Sequence, residues 1–183
     1  MDPTDREIYQ AAIHGDRDAF ETIIRGSSRQ LFAIAFGVLQ NRAAAEDVVQ
    51  DTFIKAWKSR WRVRDAEKFP AWLATIARNR ARDLARSDRT IPLIDQLEEV
   101  ADAAAATQDE QAREAYLGSH VHRALAALPE THRVAISLRY FEALDYATIE
   151  QTLGLTNGAL RGILGRALQA MRKRLQPMMA AFE

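Results

Sequence analysis

Between Ser87 and Arg113 the chain reads SDRTIPLIDQLEEVADAAAATQDEQAR, poor material for a packed core. The stretch is acidic and Ala-rich, low in aromatics, with one Pro. Such a composition buries too little apolar surface to offset the entropy of ordering it. It therefore splits a 183-residue chain into two short halves, and each half must close a core of its own. The charge pattern follows the same division. Residues 1–86 carry 15 Lys/Arg against 12 Asp/Glu, residues 87–114 carry 2 against 8, and residues 115–183 carry 8 against 5. The zero net charge of the whole thus hides two mildly basic modules, 1–86 and 115–183, joined by an acidic linker at 87–114. Within that linker, Leu93–Val100 is the one segment that could form a helix, and Ile91, Leu93, Ile94 and Leu97 offer apolar contacts.

Both halves read as helix. Apolar residues make up 48% of the chain, Gly numbers only 8 and Pro 5, and no run of alternating β-branched residues suggests a strand. In the first half, Ile8, Ala11 and Ala12 form a short helical face ended by Gly15. Asp16 or Asp18 can cap the next helix, which Gly26-Ser27-Ser28 should break. A third helix carries Leu31 to Leu39, Asn41 caps a fourth that runs to about Lys58, and Ser59–Lys68 reads as a loop. Pro70 suits the first turn of a helix ending near Arg86. The second half gives four helical patterns: Ser119–Leu128, Glu130–Phe141, Asp145–Leu153, and Thr156–Leu175 stopped before Pro177. The expected fold class is all-α, two small helical domains joined by an acidic linker.

Several function classes drop out. There is no Cys, no P-loop and no Gly-rich phosphate cradle, and His14, His120, His122 and His132 are scattered. No enzyme chemistry, metal or cofactor is expected. MDPTDREIYQ is polar and acidic, and no stretch approaches the ~20 apolar residues of a membrane span. The expectation is a soluble cytoplasmic protein with no membrane insertion.

Three surfaces carry a functional signal. In AEDVVQDTFIKAW, helical spacing puts Val49, Phe53, Ala56 and Trp57 on one face. It puts Glu46, Asp47, Gln50, Asp51 and Lys55 on the other, with Ile54 among them. That face is either a solvated acidic surface or a docking surface for a basic partner, anchored by Ile54. Further on, Arg78, Arg82, Arg86 and Arg89 recur at helical spacing with no acid on their ridge, a pattern suited to tracking phosphates. The loop before them adds Lys58, Arg60, Trp61, Arg62 and Arg64. Cations around an aromatic suit single-stranded nucleic acid, although Trp61 could equally fold back onto the core.

The third surface is TIEQTLGLTNGALRGILGRAL, whose Gly154-Leu155 junction reads as the tight turn of a helix-turn-helix. Thr156 can cap the second helix, and Leu160, Leu164, Ala167 and Met171 form its inward stripe. Ile163 and Leu168 fall near the borders of that stripe, with Arg161, Gly162, Gly165 and Arg166 further out. Asn157 and Arg161 are the best-placed readers of base edges. First-turn N–H groups, Arg166 and the cluster Arg172, Lys173 and Arg174 would hold phosphates. The inventory is thin, which predicts weak, salt-dependent DNA binding that an Arg in place of Ile163 should tighten.

AEDVVQDTFIKAW, followed by FPAWLATIARNRARDLAR, an acidic linker and ALAALPETHRVAISLRYFEALDYATIEQTLGLTNGALRGILGRALQAMRKRL, resembles a bacterial RNA polymerase sigma factor. The two-domain layout resembles the extracytoplasmic-function (ECF) group. The resemblance covers about Ala19 to Leu175 and implies roles. Residues 1–86 would dock on core RNA polymerase and melt and recognise the minus-ten element. There Glu46, Asp47, Gln50, Asp51 and Ile54 correspond to the surface that grips a coiled coil of β′. Arg60, Trp61, Arg62, Arg64, Arg78, Asn79, Arg82 and Arg86 correspond to the promoter-DNA surface, with a flipped base lodged in a pocket of the loop. The linker would thread towards the polymerase active-site cleft. Residues 115–183 would bind the β flap and read the minus-thirty-five element, and an anti-sigma factor is an implied further partner.

The second helix of the turn motif departs from the family's common GTVKSRLHRAR, giving GALRGILGRAL, and Glu150 stands where a small Ala is usual. Three explanations are open. The helix still reads DNA, or it reads DNA poorly and leans on the minus-ten domain or an activator. Or its apolar additions face a protein, which would make the chain a decoy that binds an anti-sigma factor without directing transcription. A two-domain repressor fits the C-terminal half but gives the acidic face no task.

Overall fold

The computed structural model describes residues 3–88 and 108–179, and every regular element among them is helical. Helix α1 (Pro3–Ile13) ends at Gly15, whose φ of +100° is open to glycine at little cost. Asp16 then caps α2 (Arg17–Leu39), its carboxylate accepting the Ala19 N–H at 2.9 Å. The break expected at Gly26-Ser27-Ser28 does not occur. The Ser27 and Ser28 hydroxyls donate to the carbonyls of Ile23 and Ile24, one turn back, so the polar triplet stays inside the helix. Gln40, at φ +55°, ends α2, and Asn41 caps α3 (Arg42–Ser59) through the Ala44 N–H at 2.9 Å. Two short 3₁₀ turns, Arg60–Arg62 and Ala66–Lys68, lead into α4 (Phe69–Asp88). Leu31, Ile34, Phe69 and Leu73 are fully buried where these helices meet. Each such side chain contributes about 1.5–3 kcal/mol.

The second half comprises α5 (Gln108–Ala126), α6 (Glu130–Ile136), a wide π-helical turn (Ser137–Phe141), α7 (Tyr146–Leu153) and α8 (Asn157–Met179). Helix α5 begins well before the expected Ser119, and α4 runs through Asp88, so helix extends into both ends of the connector. Residues 89–107 lie outside the described residues, and with them Arg89, the candidate helix Leu93–Val100 and the apolar positions Ile91, Leu93, Ile94 and Leu97. Asp145 caps α7: the N–H and hydroxyl of Thr148 hold its carboxyl below the ordinary value. Gly154, at φ +66°, makes the tight turn to α8. Helix α8 continues past the expected stop, with Pro177 inside its last turn. There the missing N–H forfeits one i→i−4 bond, but so close to the helix end little helix lies beyond it to be disrupted. Among the described residues, no helix is long and apolar enough to cross a membrane.

The two halves do not close separate cores as expected but share one apolar core, and at Gly37 of α2 their backbones come close. A Cβ there would lie 2.8 Å from Val134 Cγ2 and 2.9 Å from Val134 Cα, so glycine lets α6 lie directly against α2. Beside that contact Arg133 donates to the Gly37 carbonyl at 2.7 Å and the Val38 carbonyl at 3.3 Å. It also donates to the carbonyls of Leu128, at 2.7 Å, and Ala126, at 3.2 Å. These acceptors lie at the C-terminal ends of α2 and α5, where helices leave carbonyls unpaired. One guanidinium thus caps two helices from different halves. Around it, Gln30 donates to Thr152 at 2.7 Å, Arg29 pairs with Glu142 at 3.2 Å, and Arg82 pairs with Glu130 at 2.7 Å.

Gly26 and Gly37 lie in the same helix, but only Gly37 has a neighbour within reach of an added Cβ. Gly26→Ala should raise stability by roughly 0.5–1 kcal/mol through helix propensity alone. Gly37→Ala should lower it by about 1–3 kcal/mol despite the same propensity gain, because α6 must move away. Urea unfolding of the two full-length variants measures both signs.

Candidate nucleic-acid interface

The acidic face of α3 stands on the surface as its spacing implies. Ala45, Val48, Thr52, Phe53 and Ala56 are buried, while Glu46, Asp47, Gln50 and Lys55 are exposed and Ile54 is 54% exposed. Ile54 is a large apolar side chain out of the core, set among polar and charged neighbours that include Gln50, Asp51 and Lys55. The five residues named from sequence are not equivalent. Glu46 is held by Arg42 at 3.1 Å, one turn away on the same helix. Asp51 is half-buried and accepts from Arg80 of α4 at 2.8 Å, so it ties α3 to α4 as well as adding charge.

The 60–68 segment separates into inward and outward residues. Trp61 is 67% exposed, with the Arg62 guanidinium 5.3 Å from its ring centroid. The core-capping role that Trp61 could have filled belongs to Trp57, which meets Phe20 edge-on at 5.0 Å. Arg60 stacks over Trp57 at 4.1 Å and donates to the Trp57 carbonyl at 2.6 Å. It also lies against Gly15, where a Cβ would meet Arg60 Nη2 at 2.9 Å. Its guanidinium therefore serves the fold, and the outward cations of the segment are Arg62, Arg64 and Lys68. Val63, Ala66 and Phe69 are buried and pin the segment to the domain. Beside it opens a cavity of about 490 Å³ lined by Arg62, Arg64, Asp65, Lys68, Trp72 and Thr75.

The arginine ridge of α4 is not open to solvent along its length. Arg78 is half-buried, and burial, then the neighbouring Arg82, lower its pKa from the ordinary value while Glu130 opposes them. Arg82 pairs with Glu130 of the other half, and Arg86 with Asp83 of its own helix. The absence of acids seen along the ridge in sequence is thus made good by α6. Asn79 is exposed beside the ridge.

In the helix-turn-helix, the Thr156 hydroxyl accepts the Ala159 N–H at 3.3 Å, and Asn157, Arg161, Gly165 and Arg166 are exposed on α8. Arg172, Lys173 and Arg174 are exposed further along. Ile163 corrects the sequence reading. It is 8% exposed and belongs to the inward stripe with Leu160, Leu164 and Ala167, and Leu168 packs partly against the same core. Spacings of three and four together make a stripe wide enough to include position 163. An arginine there would enter the core instead of tightening DNA binding. Gly162 carries the Arg166 guanidinium, since a Cβ would lie 3.2 Å from Arg166 Nη1. Sequence reasoning gave Glu130, Arg133 and Glu150 no partners. Glu150 accepts from Asn157 at 2.5 Å, and its departure from the family pattern was the signal available.

The sequence matches the family models for Sigma-70 region 2 over residues 23–91 and Sigma-70 region 4 over residues 119–171. It is 30% identical over 185 residues to the ECF RNA polymerase sigma-E factor of Haemophilus influenzae, covering 96% of this chain and 97% of that protein. It is 32% identical over 173 residues to the probable RNA polymerase sigma factor RfaY of Xanthomonas campestris. That match covers 92% of this chain but only 43% of the longer relative. Among solved structures it is similar to CnrH in complex with the cytosolic domain of CnrY. The TM-score is 0.66 at 27% identity, over 94% of this chain and 97% of that one.

Ile163→Arg should destabilise the full-length protein by about 2–4 kcal/mol, the cost of forcing a charge into an apolar stripe. Thermal unfolding of the variant checks it. A fully stable Ile163→Arg protein with stronger DNA binding would restore the outward reading of that position.

Proposed function

The chain belongs to the bacterial RNA polymerase sigma factors of the ECF type, and on that premise we propose how its surfaces divide the work. It binds core RNA polymerase and directs initiation at specific promoters, working in the cytoplasm and catalysing no reaction of its own. Asp47, Gln50 and Ile54, with Glu46 beside them, form the surface that meets the β′ coiled coil. Asp51 supports that surface from its edge through Arg80. Trp61 stacks on an unpaired base of the minus-ten element, and Arg62, Arg64 and Lys68 hold the strand. The adjoining cavity of about 490 Å³ takes a flipped base. Asn79 and the ridge of Arg78, Arg82 and Arg86 follow the neighbouring phosphates. Residues 115–183 meet the β flap and present α8 to the minus-thirty-five element. There Thr156, Asn157 and Arg161 lie at the helix start, and Arg166, Arg172, Lys173 and Arg174 serve phosphates.

The observation that carries this reading is Trp61, a large aromatic 67% exposed among cations on a segment whose other apolar residues are buried. Folding alone gives such a residue no reason to stand in water, whereas a base would cover it. The packed arrangement adds a constraint. Arg82 is paired with Glu130 across the two halves, so engaging DNA along the ridge requires them to separate. An anti-sigma factor fits here as a partner that holds them together. The decoy reading loses its motive, because Ile163 and Leu168 pack into the protein's own core and are not offered to another chain.

Asp47→Arg combined with Ile54→Glu should weaken core-polymerase binding at least about tenfold while leaving the fold intact, because neither side chain is buried. Pull-down with core enzyme measures it, and unchanged affinity in the folded variant removes the docking role. Trp61→Ala should lower open-complex formation by about tenfold, with little effect on duplex binding. Permanganate footprinting reads the melted thymines, and normal melting would deny Trp61 any role in strand capture.

A further inference from the structure

A connected set of side chains spans the turn between α7 and α8. Glu150 lies in the last turn of α7, and its backbone carbonyl accepts the N–H groups of both Gly154 and Leu155, which makes it the pivot of the turn. Its half-buried side chain crosses that turn and accepts from Asn157 Nδ2 at 2.5 Å. Asn157 Oδ1 in turn accepts from Arg161 Nε at 2.8 Å. The Arg161 guanidinium lies 5.5 Å from the ring centroid of Tyr146, and Arg139 lies over the same ring at 5.4 Å.

This relay determines what Arg161 can still offer. An arginine has five N–H donors in a planar fork. With Nε committed to Asn157, Nη1 and Nη2 remain at the end of the fork, the pair that matches guanine O6 and N7. Tyr146 limits rotation of the plane, so less rotamer entropy is lost when a base is bound. The carboxylate has a second effect. The start of a helix ordinarily attracts a phosphate. Here Glu150 places a negative charge beside that start, which disfavours sequence-independent phosphate contact where base readout is needed.

We propose that Glu150 is a specificity-determining positioning residue: acting through Asn157, it aims Arg161 at a guanine of the upstream promoter element and discourages phosphate binding at the start of α8. The proposal rests on the reading of α8 as the helix that enters the major groove. It also accounts for how so spare a helix could discriminate, since one well-aimed bidentate contact replaces several loosely held cations.

The test uses holoenzyme assembled from the full-length protein and core polymerase, with a duplex library randomised across the upstream element. Bound sequences are read for wild type, Glu150→Ala, Glu150→Gln and Arg161→Ala. Wild type should enrich guanine at one position, and Arg161→Ala should abolish that preference. Glu150→Ala should reduce it about tenfold while retaining more total DNA at raised salt. Glu150→Gln, which keeps the acceptor for Asn157, should preserve most of it. If Arg161→Ala loses the preference but Glu150→Ala keeps it, α8 reads DNA without help from Glu150 and the proposal fails alone. If wild type enriches no base in the upstream element, the reading of α8 fails and the proposal falls with it.

Discussion

The two halves seat against each other at a close contact of α2 with α6, Gly37 against Val134, braced by the Arg133 guanidinium. The contact is close because one partner has no side chain. It is stable because the carbonyls left over at two helix ends find donors there in place of water. Burial lowers the Arg133 pKa from its ordinary value and Glu130 opposes that shift, yet the group serves chiefly as a fork of donors. Without this clamp, polar groups at the ends of both α2 and α5 would lose their partners in a partly buried region. The boundary also carries the polar pairs Gln30–Thr152 and Arg29–Glu142, and an exposed ion pair of the latter kind adds little by itself.

The proposed function asks these halves both to pack and to separate. The apolar core that the halves share is flanked at the surface by ion pairs such as Arg82–Glu130. The Arg82–Glu130 pair shows the consequence: one arginine of the ridge is neutralised from within the molecule. In the proposed function, Glu130 holds the place on Arg82 that a phosphate takes once the halves part. Among the described residues, the acidic face of α3 and the exposed Trp61 meet no such partner across the boundary.

The spare α8 follows from the same division between packing and readout. Positions that look like lost cations are taken into the core, Ile163 fully and Leu168 in part. Exposed glycines leave the helix surface low around Arg161 and Arg166, one of which lies over Gly162. A flat surface with few, well-oriented donors can approach a base edge closely. Under the proposal for Glu150, orientation matters more than number, and α7 supplies it through the Glu150–Asn157–Arg161 hydrogen bonds.

How much of this was legible in the sequence depended on the distance over which each feature is decided. Helix starts at Asp16, Asn41, Asp145 and Thr156 are set by a side chain and an N–H three residues on, so residue order marks them, although for α2 it left Asp16 and Asp18 as alternatives. The acidic face of α3 with Ile54 on it, the Gly154 turn and the all-α class follow from the 3.6-residue period and are equally local. The Gly26-Ser27-Ser28 triplet of α2 misled because such residues break helices in some settings, yet here both serines bond within the helix, which gains support from packing. The occupants of the exposed-looking charges could not be read. Asp51 meets Arg80 across 29 residues, Arg82 meets Glu130 across 48, and Arg133 meets Gly37 across 96. No periodicity carries such pairings, because they depend on which faces of different helices come together. The sequence by itself determined the helices, their caps and the residues each could expose. Only the tertiary structure decided which of those residues stay exposed, because a charge is occupied or available according to what the fold brings within about 4 Å of it.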